Sequence, residues 1–157
     1  MKTTKINTLL KAPRFDNIKE DFDTKSRAAC ELLPLCLPGT DKSVNGPRHF
    51  FDYREESADR TRSIAVIDKR TSPFIFSHGK ALHLAIEKQH WFQIEGPASD
   101  AVLILLAAYH VLDLCYSKNV KPTLQFLQIN LLGLVDETSG TATETFYNML
   151  DKVRQTL

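Results

Sequence analysis

The side chains in this sequence best suited to chemistry are His110 and Asp113, three residues apart in AAYHVLDLCY, with Cys115 and Tyr116 beside them. On a helix that spacing puts the imidazole and the carboxylate on one face, where they could work as an acid/base pair in an enzyme. No Gly-rich strand-turn-helix nucleophile motif and no second partner accompany them, so the plainer reading is the polar end of a core helix. His78, His83 and His90 form a second group that neighbouring strands could bring together around zinc. The tight paired spacings of zinc sites are absent, which favours surface or turn histidines. Cys30 and Cys36 flank Pro34 in a leucine-rich setting and read as small buried hydrophobes rather than redox partners. No catalytic, cofactor-binding or metal-ligating residue is assigned, and no cofactor is implied.

Binding of nucleic acid or nucleotide has its own candidates. Lys2, Lys5, Lys11 and Arg14 lie in the first sixteen residues with no acid before Asp16, and could contact phosphates as a basic arm. Arg48, Arg60, Arg62, Lys69 and Arg70 could extend such a patch. The formal net charge is only +1, so no global field draws the chain to nucleic acid or acidic lipid. Neither a Walker-type phosphate loop nor a dinucleotide-binding glycine motif occurs. Trp91 beside Phe92 could be a base-stacking platform, but on an alternating strand one of the two should face the core.

These residues need elements to hold them. With 157 residues, 43% of them hydrophobic and 25% charged, the chain fits one ordinary globular unit that needs no disulfide or metal. We expect a flexible basic arm over 1–16 and a single globular domain over 17–157. From Ala101 to Leu112 only His110 is not apolar, so a helix here must be covered on nearly every side. Val120, Leu124, Leu127, Leu131 and Leu134 recur at steps of four and three, a stripe that can lie along it as the second arm of a buried helical hairpin. Asn119 as cap would put Pro122 in the first turn.

Upstream, Asn17 and Glu20 have capping-box spacing, and a helix should run from about 18 to 33, before Pro34. A turn-rich loop follows to Pro47. The alternating charges from Asp52 to Arg62 read as a solvated face. Strands are expected over 63–68, 73–77, 81–87 and 91–95, the third with a short helix as alternative, joined as a small antiparallel meander. Thr141 with Glu144 opens a C-terminal amphipathic helix bearing Phe146, Met149, Leu150, Val153 and Leu157. The fold class is therefore α+β: a helix, an antiparallel β-meander, a buried helical hairpin and a last helix.

The apolar run is too short to cross a bilayer, and the start MKTTKINTLLKAPR lacks the apolar core of a secretory signal. Three cysteines match neither a disulfide framework nor a zinc ribbon, so reduced thiols and a cytoplasmic or nuclear location are expected.

From Trp91 to Leu134 the chain resembles the carboxy-terminal region of vertebrate proteins named sterile alpha motif domain-containing protein 3-like. The resemblance rests on Ile94-Glu95-Gly96 ending a strand, the apolar helix, Tyr116 in the link, and Phe126-Leu127-Gln128. A weaker likeness reaches back through Arg27 to Leu37. Ser117 stands where members often carry proline. The resemblance implies an intracellular domain and no activity, and the sterile alpha motif itself is not visible here. The expectation is a non-enzymatic protein-interaction or scaffold domain of an intracellular, mobile-element-like protein, with an unidentified protein partner and no membrane. A nucleic-acid accessory domain using the arm is the alternative, and an enzyme using His110 and Asp113 the remaining one.

Overall fold

A computed structural model describes residues 11–16, 21–41, 43, 45–54 and 70–135, with single positions at 8, 144, 147, 148 and 151. Its architecture is α+β, with helices and a four-stranded sheet in the expected order. The capping box at Asn17, the strand at 63–68 and most of the C-terminal helix lie outside the described residues.

Helix α1 spans Phe22–Cys36. Asp21 caps it, its carboxylate accepting from the Thr24 N–H at 2.8 Å and the Thr24 hydroxyl at 2.5 Å. The helix runs past Pro34 instead of ending before it. A proline only two residues from the end forfeits one N–H and leaves few bonds to break, and this ring is buried. The final turn is held from outside, since the Thr123 hydroxyl donates to the Leu37 carbonyl at 3.0 Å.

The sheet has strands β1 (Phe51–Arg54), β2 (Phe74–His78), β3 (Ala81–Ile86) and β4 (Gln89–Ile94), side by side in that order. It is mixed rather than purely antiparallel: β2, β3 and β4 form the expected meander, and β1 pairs in parallel with β2. β1 falls at the start of the stretch read as a solvated charged loop. Asp52 is buried there because its carboxylate is met by Arg70 at 2.8 Å, Arg54 at 3.1 Å and Arg48 at 3.8 Å. Ala81–Ile86 is a strand, not a helix. The turn after it places Glu87 and Lys88 at φ +51° and +66°, as a two-residue hairpin of matching twist requires. The N–H groups of that turn donate to the carbonyls of Thr71 and Arg70.

One face of the sheet carries Phe51, Ile75, Leu82, Leu84, Ile86 and Ile94 into the main core. The other buries Phe74, Phe76 and Ala85 with His83. Helix α2 spans Ala98–Val111 and packs on α1, β2 and β3. Its first N–H, on Ala98, donates to the Asp23 carboxylate of α1 at 3.2 Å, and the Tyr109 hydroxyl donates to the Pro73 carbonyl at 3.1 Å. Helix α3 spans Lys121–Leu127, with Val120 rather than Asn119 as its cap and Pro122 in the first turn. It also rests on α1. Among the described residues, no helix is long and apolar enough to cross a membrane.

Candidate interaction surface

A helix without a polar face still has two sides, and those of α2 differ in what meets them. Ala98, Ala101, Val102, Leu105, Leu106 and Tyr109 are buried against the sheet and α1. Leu103, Ala107 and Val111 recur every four residues on the opposite side and face solvent, Leu103 at 45% exposure and Val111 at 82%. The expectation of cover on nearly every side is therefore corrected. A two-layer packing reaches one side of such a helix and leaves the other bare.

A second apolar set follows α3. The chain continues from Leu127 as a wider π turn over Gln128–Leu132, closed by Gly133 at φ +67°. A stripe counted in steps of four and three assumes 3.6 residues per turn, and the π turn rotates later residues out of it. Val120 and Leu124 are buried and Leu127 partly so, but Leu131, Leu132, Leu134 and Val135 are exposed, Val135 at 78%. The expectation that the whole stripe is covered is corrected at this point. Such π turns are frequent at functional sites.

Tyr116 joins the two sets. Its hydroxyl lies 3.3 Å from His110 Nε2 and donates to Gln128 Oε1 at 2.5 Å, while Gln128 Nε2 donates to the Leu134 carbonyl at 3.1 Å. A phenol has one proton to give, and giving it to Gln128 leaves His110 Nε2–H as the donor to Tyr116. His110 near the end of α2, Gln128 just after α3 and the Leu134 carbonyl thus meet at one polar node, which ties together the segments that carry the two apolar sets. On the far side of α3, the Tyr147 hydroxyl donates to Asn130 Oδ1 at 2.5 Å and its ring lies 5.9 Å from that of Phe126.

The other candidates fall elsewhere. Asp113 is exposed at φ +49°, its N–H donating to the His110 carbonyl, so imidazole and carboxylate are not joined through their side chains. His83 Nδ1 and His90 Nε2 do approach, to 3.1 Å, with the His83 ring stacked 4.8 Å from Phe76. His78 is placed opposite Ala81 on β2. Among the described residues, no group of three His, Cys, Asp or Glu is placed to hold a metal. Cys30 is buried, and burial pushes its thiol up to about 12, which keeps it protonated and unreactive. Trp91 and Phe92 on the edge strand β4 are both half-exposed, and the pairing register skips Trp91. Of the basic arm, Lys2 and Lys5 lie outside the described residues, Lys11 is exposed, and Arg14 is paired with Glu31 at 2.6 Å.

The apolar surface was not read from the sequence as a site. Its signal was there: aliphatics on all sides of α2 and five more between Leu127 and Asp136 exceed what one layer of cover can bury. No family model, curated protein or solved structure matches the chain.

Proposed function

We propose that the domain is a non-enzymatic protein-interaction module that docks a partner on the apolar surface formed by Leu103, Val111 and Leu112 of α2 and by Leu131, Leu134 and Val135 after α3. The observation that supports this reading is that the Tyr116 node ties together the two segments carrying these exposed residues, since singly scattered apolar residues are ordinary and grouped ones mark interaction surfaces. Around an apolar centre, the hydroxyl of Tyr116 and the ring of His110 supply polar groups of the kind found at interface rims. The resemblance to sterile alpha motif domain-containing protein 3-like proteins adds the intracellular setting to the same proposal. The ion pair of Arg14 with Glu31 takes one of the four cations away from the nucleic-acid reading.

Affinity purification with mass spectrometry, run in parallel on the unaltered chain and on Leu131→Asp/Val135→Asp, tests it. A partner recovered reproducibly with the first and lost with the second is expected. Recovery of the same partner with both, or of none with the unaltered chain, rejects the surface.

A further inference from the structure

A polar site between the arm, α1 and β1 shares no residue with that surface. Pro13–Phe15 form one 3-10 turn whose Phe15 ring is buried. The turn delivers Arg14 to a slot between α1 and β1. Its Nε and Nη2 donate to the two carboxylate oxygens of Glu31 at 3.1 and 2.6 Å, a two-pronged contact that suits guanidinium and not ammonium. The guanidinium carbon lies 4.2 Å from the ring centre of Tyr53 and 4.8 Å from that of Phe15. A carboxylate fork beside an aromatic face is the chemistry of an arginine receptor, and here the chain's own arm occupies it.

Two further observations show that the arm does not fill the groove. A cavity of about 590 Å³ remains between the arm, α1 and the sheet, lined by Arg14, Glu31, Tyr53, Ser77 and Asp16 among others. Within it, Ser77 is fully buried and its hydroxyl has no hydrogen-bond partner among the described residues. Buried hydroxyls are normally paired, so this one, in the lining of the cavity, has hydrogen-bonding capacity left to offer when the arm moves aside. The groove's other guanidinium, Arg27, is already held by Asp23 at 2.7 Å and by the Lys80 carbonyl at 2.6 Å, so it does not compete for Glu31.

We propose that the groove between α1 and β1 is a binding site for an arginine side chain presented by a partner peptide, with Arg14 as its resident cis occupant. The partner's arginine takes the Glu31 and Tyr53 slot, an aromatic neighbour replaces Phe15, and the peptide backbone reaches Ser77. The cis arm lowers the apparent affinity by the fraction of molecules in which it is seated.

The test is a nuclear magnetic resonance titration of the full chain with acetyl-Ala-Pro-Arg-Phe-Asp-amide, the chain's own residues 12–16. Arg14→Ala/Phe15→Ala should bind this peptide saturably, with shifts at Glu31, Tyr53 and Ser77, and more tightly than the unaltered chain does. A peptide with citrulline in place of arginine should bind at least about tenfold more weakly, because a hydrogen-bonded charge pair is lost. No saturable binding, equal binding of the two peptides, or shifts confined to other surfaces would overturn the proposal. Should the double variant not fold, Arg14→Ala retains the buried Phe15 ring and takes ethylguanidinium as probe. Saturable shifts at Glu31 and Tyr53 that the unaltered chain does not show support the site, and their absence removes it.

Discussion

The inner and outer sides of α2 are made of the same kinds of residue and have opposite surroundings. Leu105 and Leu106 are fully buried, whereas Leu103 and Val111, on the same helix, meet solvent. Residue type therefore sets how much apolar area a helix offers, and the neighbours set how much of it is covered. On the inner side the neighbours are α1, β2 and β3; on the outer side Leu103 and Val111 meet solvent.

The largest expected effect breaks the inner side. Leu105→Ala or Leu106→Ala removes buried methyl groups and leaves a cavity, costing about 2 to 5 kcal/mol. Leu127→Ala, partly buried, should cost about half as much. Urea midpoints measure all three, and equal values for Leu105→Ala and Leu127→Ala would erase the distinction between covered and half-covered positions.

Next comes the seam that holds the α2–α3 link in place. Gly39 and Thr40 donate their N–H groups to the carbonyls of Asn119 and Lys118, each at 3.1 Å. A Cβ on Gly39 would sit 2.2 Å from the Asn119 oxygen and 2.3 Å from the Lys118 oxygen, both of them backbone. Gly39→Ala should therefore cost about 1 to 3 kcal/mol by forcing these chains apart. A midpoint unchanged from the unaltered chain would show that the seam gives way freely.

A smaller effect reports how dry the inner side is. Cys30 belongs to the same core as Leu105, and burial, reinforced by the charge of Glu31, pushes its thiol up to about 12. A raised folded-state value means that the stability it supports is complete below the unfolded thiol's own pKa of about 8.5. That stability is lost as pH rises from there through the folded value. Going from about pH 8 to about pH 10 should cost on the order of 1 kcal/mol through this group. Cys30→Ala should lose less over the same interval, and an identical loss in both proteins would place the thiol in contact with water.

The smallest effect belongs to the outer side. Val111→Asp should change stability by less than about 0.5 kcal/mol, since that side chain is already largely in water, and Leu131→Asp, from a half-exposed position, by no more than about 1 kcal/mol. A larger loss would mean that the chain itself covers them.

Much of the fold was legible because its signals are local. Gly96-Pro97 before an apolar run gave α2, alternation gave β2 and β3, and Pro122 fixed the start of α3 to within a residue. What was missed depends on contacts distant in sequence. β1 looked solvated because Asp52 is neutralised by Arg70, eighteen residues on. The parallel pairing of β1 with β2 and the bare side of α2 are decided by which layers exist, and periodicity within one segment carries no record of that. The exposed leucines after Leu127 follow from a change of helical pitch that composition does not announce. Of the proposed surface, the sequence displayed the residues but not their exposure. The Arg14 slot was hidden because arm, helix and strand meet only in the folded chain.

Hydrogen–deuterium exchange of the domain, alone and with the partner recovered by affinity purification, tests the central claim most directly. Slowed exchange on binding is expected in peptides covering 103–112 and 131–135, with the inner core unchanged. Protection confined to other regions, or none at all, would contradict it.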